Sequence, residues 1–130
     1  MPILNVLLSG TADEQKTQQV AHMLANCTSQ ILRKKPELTS IAIRYLEPAH
    51  WIVGGQSLAV QDKSSAYVEI KITDETNTRA EKAAYIQAVY NGLLALMPYV
   101  HSESYIHVDD VPAGAYGYGG KAQEFRAHNA

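Results

Sequence analysis

Proline follows the initiator methionine of this 130-residue chain and opens the apolar segment MPILNVLL. If Met1 is removed, Pro2 carries a secondary amine whose lone pair is held on a rigid ring. Burial against apolar groups disfavours the ammonium form and lowers the pKa of such an amine. An amine that is neutral near pH 7 can act as a general base. Pro2 is therefore a candidate catalytic residue, although a proline at this position also fits a plain strand start.

The overall composition limits the classes of function. The formal net charge is −2 and no basic stripe is present, so we expect no nucleic-acid partner. Cys27 is the only cysteine, which excludes an intrachain disulfide and a cysteine-based zinc cluster and favours a packing role. No secretion signal or membrane-length apolar run is visible, so we expect a cytoplasmic protein with no membrane partner.

The first half of the chain predicts a strand, a helix and a second strand. Apolar residues alternate in PILNVLL, as in a half-buried strand. A helix is predicted from Asp13 to about Lys34 and is terminated by Pro36. Its apolar positions have helical spacing: Val20, Met23, Leu24, Cys27 and Ile31. The segment SIAIRYL then supplies a strand, and Gly54-Gly55 permits a tight bend.

The second half repeats this order. AYVEIKI alternates like the first strand, and a helix begins near Arg79 and ends before Pro98. Its apolar positions lie 66 residues after those of the first helix: Ile86, Val89, Tyr90, Leu93 and Met97. A strand at 104–109 leads to Gly119-Gly120, which lies 65 positions after the first glycine pair. The shared order and stop signals indicate two β-α-β units, each with a right-handed crossover.

These elements predict an α+β fold, an α/β sandwich in which two helices cover one face of a four-stranded mixed sheet. One domain would contain a first unit at 1–55, a second unit at 65–120 and a C-terminal tail at 121–130. The link at 55–65 is expected to hold a short strand around Leu58–Val60. A single chain would leave the other sheet face uncovered, so we expect oligomerisation around a symmetry axis.

The segments MPILNVLLSGTADEQK and TSIAIRYLEPAHWIVGG, with the helix between them and the second β-α-β copy, resemble the tautomerase superfamily. The first half is similar to 4-oxalocrotonate tautomerase (4-OT), and the whole chain up to Gly120 resembles a fused, two-unit member. The resemblance implies a β-α-β fold, an amino-terminal proline base and a homotrimer of fused chains. Only the first unit has such a proline, because its counterpart Ala66 carries an internal amide nitrogen.

The chain departs from the 4-OT pattern at two arginines that bind a dicarboxylate in that family. Thr11 stands after the glycine that follows the first strand, and Ala42 stands early in the next strand. The resemblance therefore does not imply 4-oxalocrotonate as the substrate. Arg44, on the same strand face as Ala42, and Arg79, near a carboxylate-binding loop of related fused enzymes, are candidate replacements. Either arginine also fits a solvated surface ion.

Four further residues complete the candidate site. His107 is aligned with Arg44 when the two strand-and-glycine stretches are matched, and it could protonate a substrate oxygen or orient water. A structural, hydrogen-bonded histidine is the alternative. Trp51 and Tyr116 occupy the family's aromatic position before each glycine pair, where they would wall an apolar pocket or pack in the core. Tyr118 would donate a hydrogen bond in the same pocket.

Together, the residues and the resemblance predict a keto–enol tautomerase of a small unsaturated or 2-keto carboxylic acid. Pro2 would be the base, and an arginine or His107 would stabilise the enolate oxygen, with no metal or organic cofactor required. In a hydratase or dehalogenase of haloacrylate-like acids, Pro2 would instead be protonated and act as an acid. A third alternative is a non-catalytic trimeric scaffold, which retention of Met1 would favour because Pro2 would then have an amide nitrogen.

Overall fold

The computed structural model of the protein describes residues 2–129. Its first β-α-β unit comprises β1 (Ile3–Ser9), α1 (Glu14–Gln30) and β2 (Ser40–Leu46). The two strands run parallel, and α1 is the crossover between them. The order of elements agrees with the one that the sequence predicts for this half.

The helix α1 is shorter than the sequence pattern predicts. The Asp13 carboxylate fixes its start by accepting two backbone N–H groups of the first turn, at 3.0 and 3.2 Å. The helix ends at Gln30 rather than near Lys34, and Arg33 then adopts a left-handed backbone conformation with φ of 58°. The basic residues after α1 therefore belong to a loop, which leads into a 3-10 turn at Pro36–Leu38.

A short hairpin follows the first unit. Its strands β3 (Ile52–Val53) and β4 (Gln56–Ser57) pair antiparallel around two glycines with φ of 63° and 84°. The next element is the helix α2 (Leu58–Gln61), so the short strand predicted around Leu58–Val60 is wrong. The hydroxyl of Ser57, directly before α2, accepts the backbone N–H of Val60 at 3.2 Å, which favours a helical turn over an extended chain. Residues 51–61 are called the first hook below.

The second β-α-β unit comprises β5 (Ala66–Thr73), α3 (Arg79–Leu96) and β6 (Tyr105–Val111). Its strands are again parallel. The helix begins with a capping box, in which Thr78 and Glu81 each accept the backbone N–H group of the other. This box satisfies N–H groups that would otherwise lack partners at the start of a helix.

The second unit is also followed by a hairpin and a helix. These elements are β7 (Gly117–Tyr118), β8 (Lys121–Ala122) and α4 (Gln123–His128). The two glycines of this hairpin again have positive φ, 60° and 80°. Residues 116–128 are called the second hook, and most of the predicted C-terminal tail belongs to it.

The six long elements form two layers. The sheet has the order β2-β1-β5-β6, in which the outer pairs are parallel and the central pair is antiparallel. Both α1 and α3 pack in one cluster with the sheet, which confirms the predicted α+β fold with two helices on one face. No helix within residues 2–129 has the length and apolar character that crossing a membrane requires.

The core lies between the sheet and the two helices. The fully buried strand residues alternate along β1 and β5: Leu4, Val6, Leu8, Val68, Ile70 and Ile72. The buried face of α3 differs from the predicted stripe, because Ile86 is 40 % exposed while Tyr85 is fully buried. The helix caps Asp13 and Thr78 show the reason: the two helices correspond at an offset of 65 residues, not 66.

One buried hydrogen bond joins the two units. The hydroxyl groups of Tyr85 on α3 and Thr28 on α1 lie 2.9 Å apart with both residues fully buried. Burial raises the pKa of the Tyr85 phenol to about 12, although the bond to Thr28 acts in the opposite direction. At the corresponding positions of the other unit stand the apolar residues Val20 and Leu93, so the repeat preserves the backbone but not the core side chains.

Candidate active site at the start of the first strand

Pro2 is buried directly before β1. Its carbonyl accepts the backbone N–H of Ser40 at 3.1 Å, which fixes Pro2 against the start of β2. The residue lines a mostly apolar cavity of about 500 Å³, called the Pro2 pocket below. Residues 37–40 line this cavity on one side and the second hook lines it on the other. A cavity of this size and character is suited to a small organic ligand.

The strand order explains why the second hook reaches Pro2. Because β1 is antiparallel to β5 and β5 is parallel to β6, the last residues of β6 lie at the same end of the sheet as the first residues of β1. The second hook follows β6 and brings Tyr116, Tyr118 and Gln123 to the pocket. Between the tyrosines, Gly117 permits a close approach, since a Cβ there would collide with the backbone carbonyl of Lys121.

The two tyrosines of the pocket have different surroundings. Tyr116 is half-buried, its hydroxyl lies 3.0 Å from the Thr73 hydroxyl, and burial raises the pKa of its phenol. Tyr118 is 39 % exposed. The guanidinium of Arg126 lies over the Tyr118 ring, 3.8 Å from its centre, and donates to the Tyr118 carbonyl at 2.8 Å. Tyr118 is thus the more accessible of the two tyrosines, and Arg126 holds it in place.

The first hook forms a second cavity at the opposite end of the sheet. This cavity of about 550 Å³ is lined by Trp51, His101, Glu103 and Tyr105, and it is called the Trp51 pocket below. It is the counterpart of the Pro2 pocket in the repeat, because Trp51 and Tyr116 are 65 positions apart. The structure therefore places Trp51 away from Pro2.

The three remaining predicted residues do not line the Pro2 pocket of their own chain. Arg44 and His107 are exposed in the outer strands, on the sheet face that carries no helix, and Arg79 is exposed at the start of α3. The strand register also corrects the alignment of His107: its counterpart is Ala42, and the counterpart of Arg44 is Asp109. The histidine therefore occupies the position at which the first unit lacks the 4-OT arginine.

The pocket also contains side chains that the sequence analysis missed. Glu37 and Leu38 from the 3-10 turn line it, as does Gln123 from α4. A larger cavity of about 640 Å³ adjoins it and is lined by five cations: Arg33, Lys34, Lys35, Lys121 and Arg126. The RKK run at 33–35 is the available signal in the sequence, but the predicted helix to about Lys34 places most of it in the last helical turn.

The described residues provide no metal centre. Within 2–129, no group of three or more His, Cys, Asp or Glu side chains is placed to hold a metal ion. The ionisable residues that line the Pro2 pocket are Glu37 and the two tyrosines.

The comparison with solved structures identifies the fold. A native fused 4-OT superposes with a TM-score of 0.81 at 21 % identity, over 98 % of this chain and 99 % of that one. A symmetric trimer of wild-type fused 4-OT gives a TM-score of 0.81 at 18 % identity, over 94 % and 96 % of the two chains. The chain therefore has the fold of fused 4-OT proteins, as the sequence resemblance implies.

A third structure extends the likeness within the same fold. A macrophage migration inhibitory factor-like protein from Entamoeba histolytica superposes with a TM-score of 0.76 at 15 % identity, over 93 % of this chain and 97 % of that chain. No protein-family profile and no curated protein sequence matches the chain. At these identities the comparison fixes the architecture, and function must be argued from the site.

Proposed function

We propose that the protein is a keto–enol tautomerase of a small unsaturated or 2-keto carboxylic acid, with Pro2 as its base. The observation that carries this proposal is the burial of Pro2 in a mostly apolar pocket large enough for such an acid. The proposal requires removal of Met1, which lies outside the described residues. The free imino nitrogen would then be shielded from water, which favours its neutral form and lowers its pKa.

In the proposed reaction, the Pro2 nitrogen takes the proton from the enol hydroxyl or an adjacent carbon and returns it to another carbon of the substrate. The electron pair moves through the conjugated system, so no electrons are gained or lost. Tyr118 lines the same pocket and is partly exposed, so we assign it as the hydrogen-bond donor to the substrate oxygen on which charge develops. Arg44, Arg79 and His107 remain candidate substrate-binding or proton-donating residues only if a second chain brings them to this pocket.

The direct test follows phenylenolpyruvate ketonisation by proton NMR and titrates the nitrogen-15 signal of Pro2. We expect turnover above the buffer rate, and a Pro2 titration below the range of an exposed secondary amine. Intact mass must show that Met1 is absent. Retained methionine in every molecule of the natural protein, or an ordinary Pro2 titration without turnover, would overturn the proposal in favour of a non-catalytic scaffold.

Glu37 supports a second candidate, the hydratase or dehalogenase of haloacrylate-like acids. Glu37 is exposed and lines the same pocket as Pro2, so its carboxylate could activate water, while its negative charge would favour a protonated proline. Halide release from 3-haloacrylates, lost in Glu37→Gln, would support this reaction. If Glu37→Gln leaves phenylenolpyruvate turnover intact and no halide is released by either protein, the tautomerase is favoured.

We also propose that three chains assemble into a homotrimer through the sheet face opposite the helices. This face carries the half-buried apolar residues Ile3 and Leu7 beside charged side chains, among which Lys71 bridges Glu69 at 3.3 Å and Asp109 at 3.0 Å. An uncovered face of this kind is typical of a surface that a partner covers. Sedimentation should give the mass of three chains, and a folded Leu7→Glu variant should dissociate; a wild-type monomer would refute the trimer.

A further inference from the structure

The most concentrated positive charge of the described chain lies beside the Pro2 pocket. Three segments converge there: the loop after α1, the strand β8 and the helix α4. Within residues 2–129, none of the side chains that line this cavity is acidic, although the whole chain has a formal net charge of −2. The cavity, called the basic groove below, thus concentrates charge of one sign in a protein with the opposite net charge.

Contacts hold three of these cations in place. The Lys34 ammonium donates to the Thr76 hydroxyl at 2.8 Å, and the Lys121 ammonium lies over the Phe125 ring at 5.3 Å. Arg126 uses one terminal nitrogen for the Tyr118 carbonyl, at 2.8 Å. Its Nε is buried and has no hydrogen-bond partner among the described residues. The groove therefore contains a buried donor whose hydrogen bond the described residues do not supply.

The acidic groups that act on Lys34 do not line the groove. Glu81 and Asp110 lie close enough to raise the pKa of Lys34, against the larger effect of burial, which lowers it. Asp110 is itself bound by Lys82 at 2.6 Å. Glu37 lines the Pro2 pocket and is not part of the groove. These acids offset part of the repulsion among the cations but leave the groove open to an external anion.

The groove and the Pro2 pocket adjoin each other. Leu38, Tyr118 and Gln123 line both cavities. We propose that the basic groove binds a second anionic group, a carboxylate or a phosphate, of a substrate whose reacting carbons lie at Pro2. This inference rests on the proposed function and narrows its substrate class to acids with two anionic ends. Guanidinium and ammonium donors are suited to either group.

The kinetic test compares three substrates that share one reacting group. Phenylenolpyruvate carries one carboxylate, and its para-carboxylate and para-phosphate derivatives add a second anion. We expect at least one of the two derivatives to show a kcat/KM about tenfold or more above that of phenylenolpyruvate, mainly through a lower KM. The derivative with the higher kcat/KM shows whether the groove prefers a carboxylate or a phosphate. The double variant Lys35→Gln/Lys121→Gln should lower this ratio at least about fivefold.

The matched control is Lys63→Gln, which removes an exposed lysine outside the groove and should leave the ratio unchanged. A binding measurement keeps the test independent of turnover. On the Pro2→Ala variant, terephthalate should bind more tightly than benzoate, and the advantage should disappear in Lys35→Gln/Lys121→Gln and at high salt.

The outcomes separate the two proposals. Turnover that requires Pro2 but gives equal kcat/KM for one and two anions overturns the groove proposal and leaves the tautomerase standing. Groove-dependent terephthalate binding with an ordinary Pro2 titration and no turnover of any substrate supports the anion site and overturns the tautomerase. A dianion preference that survives Lys35→Gln/Lys121→Gln also overturns the groove proposal, because the charge would then be recognised elsewhere.

Discussion

The Pro2 pocket and the Trp51 pocket are built on the same backbone plan but carry different chemistry. Each is formed where one unit's hook reaches the start of the other unit's outer strand. Pro2 corresponds to the internal residue Ala66, whereas Tyr118 corresponds to the apolar Val53. A duplicated fold has only one chain start, so an amino-terminal base can exist in only one of the two pockets.

The charged residues near the two pockets also differ. The Pro2 pocket adjoins the basic groove, while the Trp51 pocket contains Glu103, whose carboxylate accepts the Tyr105 hydroxyl at 2.6 Å. The cations beside the Pro2 pocket would attract the anionic substrate that we propose, whereas the Glu103 carboxylate in the other pocket would repel it. The repeat therefore supplies two cavities, which differ in the charge beside them and in their distance from the proline at the chain start.

The largest expected effect concerns the two residues that define the pockets. Replacing Pro2 by alanine should lower tautomerase kcat/KM by about 10²- to 10⁴-fold, the range that a positioned acid or base contributes. Trp51→Ala, the matched change in the other pocket, should change it less than about threefold, since Trp51 does not line the Pro2 pocket. Equal losses in the two variants, measured by proton NMR with circular dichroism as the folding control, would end the assignment of chemistry to one pocket.

The junction between the units predicts a pH dependence of stability. The pKa of Tyr85 is about 12 in the folded protein and near 10 when unfolded, so the unfolded state loses its proton first. The contribution is fully present below pH 10 and should decline by about 3 kcal/mol as the pH rises to 12. Urea unfolding at several pH values measures it. Tyr85→Phe is the control, and the wild-type and variant curves should converge in this interval; parallel curves would contradict the shift.

A double-mutant cycle at neutral pH tests the hydrogen bond between Tyr85 and Thr28, which has no counterpart at the repeat-related positions. Tyr85→Phe leaves the buried Thr28 hydroxyl without its phenol partner and should cost about 1–3 kcal/mol of unfolding free energy. Adding Thr28→Val removes the stranded hydroxyl, so the double variant should be less destabilised than the sum of the single changes. Additive losses in urea unfolding would show that the hydrogen bond does not couple the units.

The smallest expected effect concerns the hook side chains. Tyr118→Phe should lower kcat/KM about tenfold if its phenol hydrogen-bonds the developing oxyanion. The matched change Val53→Ala in the first hook should leave turnover nearly unchanged, because Val53 lines only the Trp51 pocket. A retained rate in Tyr118→Phe would assign oxyanion stabilisation to another group of the pocket.

Local patterns predicted most of the architecture. Alternating apolar residues located the strands, and Asp13, Pro36 and Pro98 marked helix boundaries closely enough to reveal the repeat. The wrong predictions fall at positions where backbone conformation, rather than the pattern of apolar residues, determines the secondary structure. Arg33 takes a left-handed conformation that ends the first helix early, and a cap turns Leu58–Gln61 into a helix.

The candidate site was only partly accessible from sequence. Pro2, Tyr116 and Tyr118 were identified from motifs and do line one cavity, whereas His107 and Trp51 were grouped with them although they lie elsewhere in the chain. Linear alignment cannot tell which hook faces which strand start. The antiparallel pairing of β1 with β5 settles this by placing each hook against the other unit.

The local order of residues along the chain is enough to predict the two β-α-β units and to locate the proline before the first strand. Only folding in three dimensions places the second hook, and not the first, at the Pro2 pocket. It also brought Lys35 and Arg126, 91 positions apart, to one groove. Such pairs depend on the sheet register, because long-range backbone hydrogen bonds between strands set which distant side chains meet.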